Sequence, residues 1–325
     1  MKTVLVTGAA GFIGSSTAEA LLARGDAVVG VDNFNDYYDV SLKRGRAKKL
    51  AGRCEVHEAD ITDYAAMDRV FAGRKIDQVC HLAAQAGVRY SLENPFAYEK
   101  ANILGTLNLL EIARHRGVRS FIYASSSSVY GGNTKVPFSV EDPVDKPISL
   151  YAASKRSNEL MAYTYHHLFG LQTTGLRFFT VYGPWGRPDM ALFKFTKAIL
   201  AGEAIDVYNF GKMKRDFTYV TDIVAGILAS LDKSYPYEIF NLGNSNTVEL
   251  SYFIECIGRE LGRQPKLNLL ALQPGDVPAT FADIAHSRKL LGFEPKVKIE
   301  EGIREFVRWY KDYFQVGDGQ AVKTS

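Results

Sequence analysis

The chain has 325 residues, a hydrophobic fraction of 46%, a charged fraction of 23% and a formal net charge of +3. These proportions are typical of globular proteins, and so small a charge gives no reason to expect nucleic acid as a partner. No apolar run is long enough to cross a bilayer, and Met1 leads straight into a strand pattern without a secretory signal. At about 150 residues per domain, the length predicts two domains.

The three cysteines are Cys54, Cys80 and Cys256. They are odd in number, far apart and set in apolar surroundings, which favours buried thiols over disulfides or metal ligands. We therefore expect a reducing compartment, the cytoplasm, and no metal site.

The chain begins with a buried strand pattern at 2–7, followed at once by a glycine loop at 8–14. A helix pattern comes next, and then an apolar strand at 27–31 that ends in Asp32. Strand, glycine turn, helix, strand and acid form the dinucleotide-binding unit, in which a pyrophosphate rests on the N terminus of the helix. Asp32 is placed to accept hydrogen bonds from the adenosine ribose, and its charge would repel a 2′-phosphate. We therefore predict NAD rather than NADP.

Five basic residues follow within a short helical stretch, at Lys43, Arg44, Arg46, Lys48 and Lys49. Charge clusters of this kind usually form the solvated face of a helix, and we expect that here. Contact with a membrane or polyanion is the unsupported alternative.

Strand and helix patterns go on alternating up to about residue 180. Such alternation predicts an α/β fold, a doubly wound parallel (Rossmann) sheet with helices on both faces. Ligands bind such sheets outside the carboxyl ends of the strands. The further strands are predicted at 54–57, 77–81, 120–124 and 173–178, with helices near 63–72, 96–116 and 151–168.

After residue 180 the sequence changes in character, beginning with a loop of turn-forming residues at 182–188 and ending in an amphipathic helix near 299–314. We read this part as a second, smaller mixed α/β domain that binds the substrate and closes over the sheet. The predicted division is a NAD-binding domain at 1–180 with a returning segment at about 216–243, a substrate domain at 181–316 and a frayed tail at 317–325.

Tyr151 and Lys155 lie four residues apart in a predicted helix, so they share one face. A free tyrosine has a pKa of about 10, and a fixed ammonium beside the phenol favours the phenolate. The pair therefore predicts a general acid/base for a substrate hydroxyl. A run of four serines, Ser125 to Ser128, precedes Tyr151 at the end of a predicted strand.

Taken together, these motifs resemble the extended short-chain dehydrogenases that act on nucleotide sugars. The resemblance covers nearly the whole chain and implies that Ser126 orients a substrate hydroxyl, that Tyr151 is the acid/base and that Lys155 holds both Tyr151 and the nicotinamide ribose. It also implies a homodimer formed through the helices near 96–116 and 151–168. The contacts to NAD that it implies come from Gly8, Gly11, Phe12, Ile13, Gly14, Asp32, Asn33, Asp60, Ile61, Leu82, Ala83, Ala84, Asn102, Ser125, Tyr151, Lys155 and Phe178.

Three reactions of such enzymes share a first step, in which the tyrosine takes a proton from the 4-hydroxyl while NAD takes hydride from C4. The 4,6-dehydratases carry an Asp-Glu pair directly after the catalytic hydroxyl residue, where this chain has Ser127 and Ser128. Related decarboxylases usually keep a glutamate at the second of these positions, and Ser128 departs from that as well. An epimerase needs no further acid or base, so the sequence favours 4-epimerisation of a UDP-sugar.

The segments at 180–191 and 86–91 resemble the UDP-glucuronate 4-epimerases, and UDP-glucose 4-epimerases usually carry Asn where Thr180 is found. A 4-keto group next to a C5 carboxylate makes a β-keto acid, which loses CO2 readily. We expect Ser127, Ser128 and Thr180 to bind that carboxylate, since neutral hydroxyls can be exchanged cheaply by a rotating ring.

The residues that bind the nucleotide part of the substrate are predicted from the arginines and from the resemblance. Arg89, Arg187 and Arg215 are candidates for the diphosphate and the sugar acid, because guanidinium groups bind phosphate and carboxylate with two parallel hydrogen bonds. The resemblance places Asp276 on the uridine ribose, whereas Gln273 replaces a phosphate-binding arginine of the glucose epimerases. A UDP-glucose 4-epimerase, a UDP-glucuronate decarboxylase, a dehydrogenase that releases NADH and a non-catalytic NAD-binding protein stay open as alternatives.

Overall fold

The computed structural model describes residues 1–272 and 277–316. The predicted uridine contact Asp276 and the predicted tail at 317–325 lie outside this part of the chain. Among the described residues, no helix has the length and apolar character needed to cross a membrane.

The strands and helices alternate through most of the chain. The strands are β1 (Thr3–Thr7), β2 (Ala27–Asp32), β3 (Glu55–Glu58), β4 (Gln78–His81), β5 (Ser120–Ser126), β6 (Gln172–Phe178), β7 (Thr180–Tyr182), β8 (Ala204–Val207), β9 (Lys214–Arg215), β10 (Phe217–Tyr219), β11 (Tyr237–Leu242), β12 (Val248–Glu249) and β13 (Lys266–Leu269). The helices are α1 (Phe12–Ala23), α2 (Val40–Leu50), α3 (Tyr64–Phe71), α4 (Tyr90–Glu93), α5 (Pro95–Tyr98), α6 (Gly105–His115), α7 (Leu150–Phe169), α8 (Ala191–Ala201), α9 (Val220–Lys233), α10 (Leu250–Leu261), α11 (Ala285–Leu291) and α12 (Ile299–Phe314).

Seven strands form one parallel sheet in the order β11-β6-β5-β4-β1-β2-β3. Its first six strands in the chain match the predicted ones, and the largest difference is at β5, predicted to end at 124 and found to end at 126. The seventh strand, β11, pairs with β6 from Tyr237↔Thr173 to Leu242↔Phe178 and lies inside the predicted returning segment. The prediction of a doubly wound α/β sheet is therefore confirmed, while the boundary between two domains stays a prediction.

The central strands read as continuous apolar runs because both faces of the sheet are covered. In β1, Val4 and Val6 belong to the core cluster that includes α1 and α9, whereas Leu5 belongs to the cluster formed with α3, α6 and α7. Successive strand residues point to opposite faces, so one short run supplies both cores. The carboxyl ends of the strands are thereby held rigidly along one edge.

The prediction of a single helix near 96–116 is wrong. The chain instead forms α5, a π-helical turn at Glu99–Leu104 and then α6. The turn carries Asn102, which is buried with its side chain bonded to the backbone of Gln85 and to the Ser154 hydroxyl. Such turns hold one residue more than an α-turn and are frequent at functional sites.

The remaining strands form pairs outside the main sheet: β7 with β10, β9 with β12 and β8 with β13. The amphipathic helix predicted near 299–314 is present as α12. Its aromatic face, with Trp309 and Tyr313, packs on Trp185 in the loop that follows β7.

Candidate active site

A cavity of about 950 Å³ opens at the carboxyl edge of the sheet, between the strand ends and the segments after residue 180. Of the predicted site residues within the described ranges, all but Asn102 line it. They are Gly8, Gly11, Phe12, Ile13, Gly14, Asp32, Asn33, Asp60, Ile61, Leu82, Ala83, Ala84, Arg89, Ser125, Ser126, Ser127, Ser128, Tyr151, Lys155, Phe178, Thr180, Arg187 and Arg215.

The glycine loop forms the floor of this cavity at the N terminus of α1. A Cβ on Gly14 would lie 1.9 Å from the Gly8 carbonyl oxygen, so only glycine allows this close turn. Gly8 has a φ of +70°, and a Cβ there would lie 2.8 Å from the Ala83 nitrogen. The loop therefore brings the chain in a close turn to the N terminus of α1, and the N terminus of a helix suits a phosphate group.

Two carboxylates border the same loop. Asp32 accepts hydrogen bonds from the backbone N–H of Ala10 at 3.0 Å and of Phe34 at 2.9 Å, and each oxygen keeps capacity for a further donor. Asp60 accepts from Asn33 and Thr62. Burial alone would raise the pKa of Asp60, but these hydrogen bonds outweigh it and keep the pKa below its usual value. Both groups are acceptors in position for ribose hydroxyls or an adenine amine.

Asn102 lies behind the cavity rather than in its lining. Its amide accepts from the Gln85 N–H at 2.8 Å and donates to the Gln85 carbonyl at 3.0 Å and to the Ser154 hydroxyl at 2.9 Å. The structure therefore ties the loop after β4 to α7 through Asn102 and brings Gln85, not Asn102, to the cavity wall.

Ser126 and Tyr151 meet inside the cavity. Ser126 ends β5 and caps a 3-10 turn at Ser127–Tyr130, and its hydroxyl accepts from the Ser128 N–H at 3.1 Å. The Tyr151 phenol lines the same cavity, and the nearby Ser126 side chain lowers the pKa of that phenol. A hydroxyl and a phenol in one cavity can both contact a substrate hydroxyl and pass a proton.

The effect of Lys155 on the pKa of Tyr151 stays a prediction. Burial raises the pKa of Tyr151, and the Ser126 side chain and the positive charge of Arg187 lower it. Lys155 is itself buried, which lowers its pKa to about 8, and its Nζ donates to the Ala124 carbonyl at 2.9 Å. The strand end therefore holds the ammonium in place.

Arg187 lies next to residues that the sequence did not single out. Its Nε donates to Asp189 at 2.9 Å, and its guanidinium lies 5.9 Å from the centre of the Tyr37 ring. Tyr37 donates to the same Asp189 at 3.3 Å, and burial, followed by the charge of Asp189, raises the pKa of Tyr37 to about 12. The signal in the sequence was the Arg-x-Asp spacing, together with an aromatic loop close after the acidic end of β2.

The basic cluster on α2 is only partly a solvated face, which corrects the expectation. Arg44 and Lys48 are exposed, but Lys43 and Arg46 are buried. Lys43 lines the cavity and donates to the backbone and side chain of Asn35. Arg46 is bonded to oxygens of the glycine loop and of the loop after β7. These acceptors come from distant parts of the chain, so local sequence carries no signal of the burial.

The opposite end of the cavity carries the other two predicted arginines. Arg89 lies over the Tyr208 ring, with 5.2 Å from its guanidinium carbon to the ring centre. Arg215 donates to the Lys214 carbonyl at 3.0 Å. Lys194 and Tyr208 also line this end. Together they give it a positive and aromatic character that suits a nucleoside diphosphate.

Within the described residues, no group of His, Cys, Asp and Glu side chains is arranged to hold a metal ion. His81 is buried between the Thr7 and Thr106 hydroxyls at 2.7 and 3.0 Å. Burial lowers its pKa to about 3, so it is neutral. Within the described part of the cavity, the groups placed for proton transfer are thus Tyr151 and the hydroxyls around it.

The sequence profile of the NAD dependent epimerase/dehydratase family matches residues 4–243. UDP-glucuronate 4-epimerase 4 of Arabidopsis thaliana is 49% identical over 98% of this chain and 77% of its own length. A probable UDP-glucuronate 4-epimerase of Rhizobium meliloti is 45% identical over 96% of this chain and 97% of its own.

Among solved structures, the UDP-glucuronic acid 4-epimerase of Bacillus cereus in complex with UDP-glucuronic acid and NAD superimposes with a TM-score of 0.88. It is 35% identical, and the match covers 96% of this chain and 100% of that one. The resemblance inferred from the motifs is confirmed. The family match covers most of the chain and the fold match nearly all of it, and the chain belongs to the NAD-dependent epimerase/dehydratase family.

Proposed function

We propose that the protein is an NAD-dependent UDP-glucuronate 4-epimerase, which interconverts UDP-glucuronate and UDP-galacturonate. The observation that carries this proposal is that Ser127, Ser128 and Thr180 line the same cavity as Tyr151. Hydroxyls thus occupy the positions where a dehydratase has its carboxyl pair. Similarity to UDP-glucuronate 4-epimerases of a plant and of two bacteria supports the same reading.

The proposed site of the dinucleotide is the glycine loop and the strand ends beside it. Gly8 and Gly14 allow the close turn at the N terminus of α1, and Asp32 offers carboxylate oxygens at the end of β2. The Lys155 ammonium, fixed on the Ala124 carbonyl, is the candidate for the nicotinamide ribose. Bound there, NAD supplies the hydride acceptor and donor that oxidation and re-reduction at C4 need.

Residues of the chain transfer the proton, and the cavity lets the sugar ring rotate. Tyr151 takes the proton of the 4-hydroxyl and later returns it, while Ser126 holds the same oxygen in line. Between these two transfers the 4-keto ring rotates about its link to the diphosphate, so that the other face of C4 is presented for re-reduction. No further acid or base is needed for this reaction.

The carboxylate of the sugar must be kept from leaving as CO2 while C4 is a ketone. Ser127, Ser128 and Thr180 are the proposed hydroxyl partners. Arg187 is the proposed cationic one, because it lines the same cavity as Tyr151 and its positive charge lowers the pKa of the phenol. We assign Arg187 to the sugar acid rather than to the diphosphate, and Arg89 and Arg215 to the nucleotide.

We further propose a homodimer formed through α5, α6 and α7. These helices and the adjoining α4 expose apolar side chains, among them Leu92 at 73% and Phe96 at 72% exposure. Apolar side chains grouped in this way mark an interaction surface on a protein of ordinary composition. The others in this group are Leu104, Leu107, Leu150, Leu160, Tyr163, Leu168 and Phe169.

The cytoplasm is the proposed location. All three cysteines, Cys54, Cys80 and Cys256, are free thiols, as expected in a reducing compartment.

The function is tested by incubating the purified protein with UDP-glucuronate and separating the products by anion-exchange chromatography. We expect the wild-type protein to form UDP-galacturonate and the Tyr151→Phe variant, which lacks the acid/base oxygen, to form none. UDP-pentose as the main product would favour the decarboxylase instead. Conversion of UDP-glucose alone would favour a UDP-glucose 4-epimerase.

A further inference from the structure

Arg46 is a buried cation in a helix face that the sequence predicts to be solvated. It lies in α2 and is 0% exposed, while Arg44, two residues earlier, is exposed and paired with Glu58. The mechanism proposed above uses no group on α2. A fully buried guanidinium is costly unless its donors are satisfied, so its partners indicate what it is for.

The guanidinium of Arg46 bonds to oxygens of two loops, each of which supplies other residues to the cavity lining. From Nη1 it donates to the Ala10 carbonyl in the glycine loop at 3.2 Å and to the Tyr38 hydroxyl at 2.7 Å. From Nε and Nη2 it donates to the Trp185 carbonyl at 3.1 and 2.6 Å, and from Nη2 also to the Gly186 carbonyl at 3.3 Å. One planar group therefore joins the cofactor loop to the loop that leads directly into Arg187.

The loop held by Arg46 has a backbone that needs external support. Trp185 has a φ of +64°, a left-handed conformation that a bulky residue rarely adopts. Its ring is fixed between α12 and α2: it lies 4.8 Å from the Tyr313 ring, and a Cβ on Gly45 would lie 2.9 Å from it. The two carbonyls of this loop that accept from Arg46 are those of the two residues immediately before Arg187.

We propose that Arg46 is a positioning residue that fixes the 185–187 backbone against the glycine loop and so holds Arg187 in the cavity that Tyr151 also lines. This inference rests on the proposed function, in which Arg187 receives the sugar carboxylate. It assigns to Arg46 a role in recognising the acid group of the substrate, although Arg46 touches neither the cavity nor the sugar.

Binding, measured without turnover, separates this role from general support of the fold. In a Tyr151→Phe background, titration calorimetry gives the affinities of UDP-glucuronate and of UDP for each variant. We expect Arg46→Met to weaken UDP-glucuronate binding by about tenfold, the share of one charge-assisted hydrogen bond, and to change UDP binding by less than about twofold. Arg44→Met, the same change on the exposed side of α2, should match the parent for both ligands.

A second background shows whether Arg46 acts through Arg187. With Arg187→Met already present, adding Arg46→Met should change the affinity for UDP-glucuronate by less than about twofold. Arg46→Lys should give a partial effect, because a single ammonium cannot reach all the carbonyls that the planar guanidinium spans. If Arg46→Met gives no folded protein, Arg46→Lys serves in both comparisons.

The inference would be overturned by an equal loss of affinity for UDP and UDP-glucuronate, or by an undiminished loss in the Arg187→Met background. It would also be overturned if the loss followed a fall in bound NAD, since Arg46 would then only support the glycine loop. A failure of the proposed function would be seen in a different experiment, the product assay, in which the wild-type protein would leave UDP-glucuronate unconverted.

Discussion

At the scale of single residues, the surroundings of Tyr151 decide how readily its phenol gives up a proton. Burial raises the pKa of the phenol, and the positive charge of Arg187 lowers it. The pKa of Tyr151 therefore depends on Arg187, the residue proposed to bind the carboxylate of the substrate. Recognition of the carboxylate and activation of the phenol are thus coupled through one side chain.

Replacing Arg187 should move the pH dependence of the reaction. Tyr151 acts as a base only when deprotonated, and removal of a nearby cation raises its pKa, so less phenolate is present at any given pH. In Arg187→Met, the rising limb of kcat/KM against pH should therefore shift to higher pH. Arg187→Lys keeps the charge and should keep the limb near that of the wild type. An unshifted limb in Arg187→Met would contradict the coupling.

Thr180 is a second single residue with a testable role, because its hydroxyl is proposed to hold the substrate carboxylate and so prevent loss of CO2. The Thr180→Ala variant loses one hydroxyl partner of the sugar acid, so more of the 4-keto intermediate should lose CO2. We expect UDP-pentose to rise several-fold as a share of product, roughly the effect of one hydrogen bond. Thr180→Ser keeps the hydroxyl and is the matched control. Unchanged affinity together with no rise in pentose would remove Thr180 from this role.

At the scale of elements, α7 is fixed to the sheet by a buried ion pair behind the catalytic residues. Glu159, on α7, accepts from Arg177 of β6 at 2.8 and 3.0 Å, with side-chain exposures of 0% and 2%. Glu159 also accepts from Ser125 at 2.7 Å, next to Ser126 in β5. The pair therefore sets the spacing between the strand that carries the serine and the helix that carries Tyr151.

Breaking this pair should cost the fold far more than breaking a surface pair. In Glu159→Gln, the Arg177 charge stays buried without its counter-charge, so the free energy of unfolding should fall by about 3–5 kcal/mol. Urea denaturation followed by circular dichroism measures the change. The exposed pair of Glu305 and Arg308 gives the control, since Glu305→Gln should cost less than about 1 kcal/mol. Similar losses for both variants would refute the assignment.

Most elements were predictable from sequence because their signal is local. The six strands lie within two residues of their predicted bounds, since buried parallel strands read as short apolar runs. The glycine loop and Asp32 were predictable because the turn itself requires glycine at 8 and 14.

The structural features that the sequence did not predict depend on contacts between distant segments of the chain. The π-helical turn depends on Asn102 meeting Gln85 and Ser154, 17 and 52 residues away. The burial of Arg46 depends on the Trp185 carbonyl, 139 residues away. A basic helix face looks the same in sequence whether water or buried carbonyls meet it. The pairing of Arg187 with Asp189 and Tyr37 likewise needed the fold to bring two loops together.

At the scale of the whole molecule, the exposed apolar residues of α4 to α7 predict the state of assembly. Phe96→Glu combined with Leu160→Glu places charges in the proposed interface, so the protein should sediment as a monomer where the wild type sediments as a dimer. Leu267→Glu, an exposed apolar position on β13, is the control and should leave the dimer intact. A wild-type protein that is monomeric at micromolar concentration would contradict the proposed surface.

The most direct measurement is proton NMR of UDP-glucuronate in D2O with the purified protein and no added NAD. We expect UDP-galacturonate of unchanged carbon skeleton that keeps protium at C4, because the hydrogen removed from C4 returns to it without exchanging with solvent. Deuterium at C4, dependence on added NAD, or UDP-pentose in place of the uronic acid would each contradict it.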